Sequence, residues 1–151
     1  MKKLDKKIDR AIPFVFVGGI LGSILRYGIF TSLDVIRNNR AIMEGEKGYS
    51  NLIDLIYYLP LASIFVNLIG SFILAFIARC LLGRIKPNTY KLLATGLIGS
   101  FTTFSTFSRD FCQLALDGHT ILALIYAFIS MTGGISMAML GNILGKKVNK
   151  C

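Results

Sequence analysis

Hydroxyl and aromatic side chains are concentrated in one short stretch of this sequence. In residues 102–108, five of the seven carry hydroxyls, and Phe104 and Phe107 occupy the other two positions. The surrounding apolar segment, 92–116, is long enough to cross a bilayer as a helix. Gly99 and the paired threonines predict a break in that helix, which would leave backbone carbonyls without helical partners. Such carbonyls are tolerated at membrane depth only where protein or a water-filled cavity covers them. The density of hydroxyls therefore favours a buried functional break over a helix whose hydroxyls merely bond their own backbone.

Two further polar side chains lie well inside apolar segments. Asn67 is costly in the middle of a membrane unless it is hydrogen-bonded, so it either bonds a neighbouring helix or lines a pore. Arg26 lies on the same helical face as Gly18 and Gly22, in the second half of its segment. Its side chain either extends to the interface or lies in an aqueous vestibule where it attracts anions. The residue types alone leave both pairs of alternatives open.

Four apolar segments cover most of the chain and predict one membrane domain. The sequence has 151 residues, is 54% hydrophobic and has a mean hydropathy of +0.63, above the apolar share of a soluble domain. The net charge of +9 is carried by the ends and loops, which indicates contact with anionic lipid rather than with nucleic acid. The predicted fold is all-α, with transmembrane helices at about 12–33, 59–82, 92–116 and 120–144 and a polar surface loop at 34–58, partly helical from 51 to 58.

Enzymatic chemistry finds no support in the sequence, which has no set of nucleophile, base and orienting group. Its three cysteines are scattered and odd in number, which indicates neither a disulfide framework nor a metal site. Asp110 lies near the border of its span, directly after Arg109. A small four-helix multidrug exporter needs a buried acid, so the sequence argues against that class of protein. The groups left at depth are neutral hydrogen-bond donors, which suit a small anion that must shed water and leave again. An assembly subunit without conduction is a third alternative.

Three motifs together resemble those of the small fluoride channels, the Fluc or CrcB family. They are Gly-Gly-x-x-Gly-x-x-x-Arg-Tyr at 18–27, Asn-x-x-Gly-Ser-Phe at 67–72, and the stretch 99–108 that contains the paired phenylalanines. The resemblance implies a four-helix subunit whose third helix is broken in mid-membrane, and two subunits packed antiparallel. It also implies a multi-pass protein of the cell membrane that exports fluoride passively.

The resemblance further implies roles for individual residues. The second motif would supply a pore amide, the third a pair of pore phenylalanines with hydroxyls beside them, and the first a vestibule arginine. The last helix would begin a polar track. The implied pore residues are Asn67, Phe104, Phe107, Ser105, Thr106, Arg26, Tyr126 and Ser130. Rings turned edge-on would contact an anion and rings turned face-on a cation, and the sequence leaves their orientation open.

A structural sodium ion at the dimer centre is also implied by the resemblance. Its ligands would be the backbone carbonyls of Gly99 and Thr102 from both subunits. Oxygen ligands of this kind suit a hard cation. The expected ligand set therefore needs the helix break and a second subunit together.

The distribution of basic residues bears on the identity of that second subunit. Twelve Lys and Arg residues lie on the predicted side of both termini and four on the other side, with Arg26 inside a span. This bias favours a single orientation with both termini in the cytoplasm, whereas an antiparallel homodimer must insert both ways. The expected partner is therefore either an identical subunit or a homologous subunit of opposite charge bias.

Overall fold

The computed structural model describes residues 10–44 and 59–148, with the backbone alone for 34–44, and these residues are almost entirely helical. The helices, in chain order, are α1 (Ile12–Glu44), α2 (Leu61–Leu81), α3 (Pro87–Tyr90), α4 (Lys91–Ile98), α5 (Gly99–Phe101), α6 (Phe104–Leu116) and α7 (Thr120–Val148). Three of them contain stretches long and apolar enough to cross a membrane, namely Ile12–Leu33, Leu61–Leu81 and Thr120–Val148. The predicted third span, 92–116, is divided among α4, α5 and α6.

The first helix is longer than the sequence indicates. The prediction of a loop beginning at residue 34 is wrong for residues 34–44, because α1 continues to Glu44. The reason is local, since no glycine or proline occurs between Gly28 and Gly45, and polar residues alone do not end a helix. The remainder of the predicted loop, including its expected helical part at 51–58, lies outside the described residues.

Glycines bring α1 and α4 into backbone contact. A Cβ atom on Gly18 would overlap the carbonyl oxygen of Leu92, and one on Gly22 would overlap that of Leu97. The two helices run parallel, because residues further along α1 meet residues further along the 91–101 segment. Helix α4 has the wider π geometry, which is uncommon and occurs often near functional sites. The small-residue face of α1 therefore positions the helical segment that leads into the break.

A second parallel pair is formed by α2 and α7, again through glycine. A Cβ atom on Gly141 would overlap the carbonyl oxygen of Phe72, and one on Gly145 would lie 2.8 Å from the Cβ atom of Arg79. The Cys80 thiol donates to the carbonyl of Gly145 over 3.4 Å. This close packing fixes α7, the helix that carries Tyr126 and Ser130, against the helix that carries Asn67.

The buried apolar cluster of the described chain lies beside the break. It contains Tyr126, Leu114, Leu122 and Ala123, with Phe107 packed against it. Elsewhere many large apolar side chains are exposed along α1, α2 and α7. A single chain therefore leaves apolar surface for lipid and for other protein to cover.

The α1–α4 contact can be tested with a matched pair of glycine substitutions. Gly22→Ala is expected to destabilise the protein by about 1–3 kcal/mol, because the added methyl group must displace the backbone at Leu97. Gly28→Ala is the control, since a Cβ atom at Gly28 meets nothing within 4 Å. The measurement is the thermal unfolding midpoint of the detergent-solubilised protein by circular dichroism. Equal midpoints for the two variants would contradict the contact.

Candidate functional site

The break expected from the sequence lies at Thr102 and Thr103. Helix α5 ends at Phe101, and Thr102 takes an extended backbone with φ −76° and ψ 153°. Thr103 is extended too, with φ −150° and ψ 119°, and α6 then begins at Phe104. Two consecutive extended residues redirect the chain and interrupt the helical hydrogen bonds at this point.

Asn67 of α2 binds the backbone of the break with both ends of its amide. The Thr103 N–H donates to Asn67 Oδ1 over 2.9 Å, and Asn67 Nδ2 donates to the Thr103 carbonyl over 3.3 Å. The side chain therefore satisfies both backbone groups of Thr103, which would otherwise be left without partners away from water. Since the Thr103 N–H is used in this way, it does not close the helical bond to the carbonyl of Gly99.

Gly70 makes room for the break one turn after Asn67. A Cβ atom at Gly70 would overlap Cγ2 of Thr102 and lie 3.5 Å from the ring of Phe101. The Thr102 N–H and hydroxyl both donate to the carbonyl of Ile98, each over 3.0 Å, and so close the preceding helix. The Asn-x-x-Gly spacing thus has a physical explanation, because the asparagine bonds the break and the glycine admits it.

Hydroxyls collect around the side chain of Thr103, which caps the N-terminus of α6. Thr103 Oγ1 accepts from the Thr106 N–H over 3.2 Å. The same oxygen lies 3.0 Å from Ser105 Oγ and 3.1 Å from Thr106 Oγ1. A capping threonine satisfies one of the free N–H groups of the first turn. The expected hydroxyl residues, Ser105 and Thr106, therefore belong to one hydrogen-bonded group at the break.

Three aromatic rings follow one another from the surface into the core. The centroids of Phe104 and Phe107 are 5.7 Å apart with 30° between the ring planes. Phe107 stacks on Tyr126 with centroids 5.1 Å apart and 29° between the planes. Phe104 is 80% exposed, whereas Tyr126 is fully buried. Because the planes are close to parallel, Phe107 turns a face towards Tyr126 and leaves its edge for other contacts.

The structure adds two polar residues that the sequence analysis did not place at the site. The Ser63 hydroxyl donates to Asp110 Oδ2, and Asp110 Oδ1 lies 3.2 Å from an Arg109 guanidinium nitrogen. The Asp110 side chain is only 12% exposed, so this carboxylate lies within the protein rather than in solvent. Helical spacing could have placed both residues at the site. Asp110 follows Phe107 by three residues and Ser63 precedes Asn67 by four, so each pair lies on one helical face.

Tyr126 and Ser130 contribute two buried hydroxyls near Ser63. Both atoms are buried, and no hydrogen bond of normal geometry joins Tyr126 Oη or Ser130 Oγ to the described residues, although the Ser63 and Ser130 side chains lie close to Tyr126. Buried polar atoms are normally satisfied, so hydroxyls of this kind are available to water or to a ligand.

The remaining expected site residues lie apart from this group or at its edge. Arg26 is half-buried on α1, one turn after Gly22, and no hydrogen bond or ion pair joins it to the described residues of the break. Gly99 is exposed and Thr102 half-buried, so their backbone carbonyls lie at the rim of the break. The structure thus brings together Asn67, Ser105, Thr106, Phe104, Phe107, Tyr126 and Ser130, but not Arg26.

The family relationships of the chain agree with this arrangement. Residues 13–142 match the family model described as CrcB-like protein, Camphor Resistance (CrcB). The chain is 36% identical over 132 residues to a fluoride-specific ion channel FluC of Thermus thermophilus, and the match covers 87% of this chain and 91% of that one. It is 35% identical over 136 residues to FluC of Methanocaldococcus jannaschii, with 89% and 94% covered. It is also 40% identical over 93 residues to FluC 1 of Desulfitobacterium hafniense, with 60% and 82% covered. Taken with the helix break that Asn67 binds and with its phenylalanines, these matches identify the chain as a member of the CrcB family.

Proposed function

We propose that this protein is a fluoride-selective channel of the cell membrane that exports the ion passively. The observation that carries the proposal is the break between α5 and α6, held by the Asn67 amide and lined by hydroxyls and phenylalanines. Relatives that align with most of the chain are named fluoride-specific ion channels. The protein is accordingly a multi-pass membrane channel rather than an enzyme, with the interrupted segment 92–116 as the third of four crossings.

The chemistry of the described groups suits a small, strongly hydrated anion. Tyr126 and Ser130 offer buried hydroxyls without a well-formed hydrogen bond among the described residues, and the Phe107 ring beside Tyr126 keeps an edge for other contacts. Neutral donors replace water around an anion without binding it as tightly as a fixed cation would. Asp110 adds a negative charge near this path, and the adjacent Arg109 offsets part of it.

Of two arguments against a small multidrug exporter, the structure weakens one and the family relationship supplies the other. The sequence predicts no carboxylate in mid-membrane, but Asp110 near the border of its span is only 12% exposed and accepts from Ser63, which weakens that argument. The family relationship instead decides against an exporter, because residues 13–142 match the CrcB model. The channel is the function that the site supports best.

Fluoride efflux from liposomes loaded with the protein tests the function, and Asn67→Asp tests the site. The parent is expected to release fluoride with chloride retained. In Asn67→Asp a carboxylate oxygen replaces the amide donor to the Thr103 carbonyl and repels both that carbonyl and an anion. Efflux is expected to fall roughly tenfold or more, because a buried acceptor loses its partner and a charge is added.

The control for this experiment is Ser71→Ala, a polar substitution on the same face of α2 one turn after Asn67. It leaves both hydrogen bonds of Asn67 to Thr103 in place, so efflux is expected to remain near that of the parent. An Asn67→Asp protein that conducts as well as Ser71→Ala would remove Asn67 from the site. A parent that inserts in both orientations and still releases no fluoride would reject the channel itself.

An antiparallel dimer completes the proposed channel. Phe104 is 80% exposed in one chain, although it stands beside Phe107 and the hydroxyls of the break. An aromatic side chain in an ion path needs protein around it, and a second subunit over this face would provide it. The partner is an identical chain or a homologous chain of opposite charge bias. The numbered name of the Desulfitobacterium relative, FluC 1, is compatible with the second choice.

Expression of the chain alone, with a reporter of topology at the C-terminus, distinguishes the two partners. The twelve-to-four bias of basic residues predicts a reporter signal mainly from the cytoplasmic side. A homodimer requires signal from both sides together with fluoride efflux from the purified chain. Signal from the cytoplasmic side alone, with no efflux, would establish a homologous partner of opposite orientation.

A structural sodium ion is the cofactor that fits this proposal. The carbonyl of Gly99 lacks its helical bond from Thr103, whose N–H binds Asn67, and Thr102 follows in extended conformation. Carbonyl oxygens freed in this way suit a hard cation, and two subunits together would supply enough of them. The ion would hold the two breaks together and supply no step of conduction.

Exchange of the cation tests the sodium site without reference to conduction. The dimer is expected to melt at a higher temperature in sodium buffer than in N-methylglucamine buffer of the same ionic strength, because sodium binds only the folded assembly. Potassium chloride controls for a general effect of small cations. Identical melting temperatures in all three buffers would refute the site.

A further inference from the structure

Positive charge is concentrated at one end of the helical assembly. The α1 and α4 helices run parallel, as do α2 and α7, so α1 and α3 begin where α2 and α7 end. The basic residues at this end are Arg10, Arg79, Arg84, Lys86, Lys91, Lys146 and Lys147. The acidic side chains of the described part, Asp110 and Asp117, lie in α6 and at its C-terminus, on the part of the chain that leads away from this end. An anion is therefore attracted here by many charges of one sign.

A cavity opens at the surface of this basic end. Its volume is about 350 Å³, and it lies between the start of α1 and the segment that joins α2 to α3. The residues that line it are Arg10, Phe14, Lys86, Pro87, Asn88 and Thr89. The lining thus combines two cationic side chains, an amide and a hydroxyl with a phenyl ring and a proline ring.

The polar lining has the chemistry of a phosphate site. An arginine guanidinium binds phosphate oxygens with two parallel N–H groups, and a lysine adds a compact positive charge. The Asn88 amide and the Thr89 hydroxyl are further donors. Within the described part of the chain the ion pair is between Arg109 and Asp110, so Arg10 and Lys86 are not paired with a carboxylate there.

We propose that this cavity binds a phosphate group, carried by an anionic membrane lipid. The first apolar span begins at Ile12, so Arg10 lies at the level where lipid headgroups meet the protein. Phe14 and Pro87 give the cavity an apolar side, which suits the glycerol and first acyl carbons of a lipid better than an isolated ion. A soluble phosphate is the other source of the same chemistry. The site is separated along the chain from the break by α4 and α5 and does not depend on the proposed conduction of fluoride.

Lipid retention by the full chain tests the proposal. The purified protein, in a neutral detergent, is titrated with dioleoyl phosphatidylglycerol or with dioleoyl phosphatidylcholine, and bound lipid is counted by native mass spectrometry. The parent is expected to retain the anionic lipid preferentially. The double variant Arg10→Gln, Lys86→Gln is expected to lose roughly tenfold or more of that affinity, because two basic contacts are removed.

The matched control is the double variant Lys146→Gln, Lys147→Gln. It removes the same charge from the same end but leaves the cavity lining unchanged, and its retention is expected to stay close to that of the parent. Equal losses in the two double variants would show diffuse attraction and overturn the site. Unchanged retention in Arg10→Gln, Lys86→Gln would overturn it as well. Size-exclusion profiles and far-ultraviolet circular dichroism establish that each variant is folded.

Inorganic phosphate distinguishes the two sources of the group. Phosphatidylglycerol that remains bound to the parent in millimolar phosphate supports the lipid as the occupant. Displacement of the lipid by phosphate from the parent, with no phosphate effect on the Arg10→Gln, Lys86→Gln variant, supports a phosphate site filled from solution. Failure of both ligands to distinguish the parent from that variant would reject the site.

Discussion

The paired hydrogen bonds between the Asn67 amide and the backbone of Thr103 are the interaction on which this fold depends most. Without them, the N–H and carbonyl of Thr103 would be left open in the middle of an apolar protein, at a cost that usually forbids irregular backbone there. A side-chain amide has one donor and one acceptor side, as a peptide group has, so it can satisfy both groups at once. The same constraint excludes aspartate, which keeps the acceptor and loses the donor.

Glycine contacts place this amide and its target within reach of each other. Gly18 and Gly22 admit the backbone of the segment that leads into the break, and Gly70 admits the Thr102 side chain. These positions tolerate no methyl group without movement of the backbone, so they determine distance rather than merely permit flexibility. Two parallel helix pairs are built by the same means, and the break lies between them. These close glycine contacts therefore set the position of the Asn67 amide relative to the break.

Much of this arrangement could be predicted from the sequence, and the limits have physical causes. Hydroxyl density and Gly99 were sufficient to predict the break, because both are local properties of the chain. The residue that binds the break could not be predicted from the sequence, since the contact of Asn67 with Thr103 joins residues 36 apart. The sequence places Asp110 near a membrane border, and its hydrogen bond from Ser63 of another helix was not accessible because the two residues are 47 apart. The sequence predicts a loop from residue 34 because the segment is polar, but polarity alone does not end a helix, and α1 continues to Glu44.

The break also places backbone groups of opposite partial charge on its two sides. The C-terminal end of α5 presents carbonyl oxygens that have lost their helical partners, and the N-terminal end of α6 presents N–H groups, of which Thr103 caps one. Carbonyl ends of helices favour cations and N–H ends favour anions, within about one turn. Gly99 and Thr102 lie on the first side of the break, and Phe104, Ser105 and Thr106 lie on the second. A single interruption of one helix thus presents the carbonyl oxygens that the proposed sodium ion would need and, a few residues later, the N–H groups and hydroxyls at the start of the proposed fluoride path.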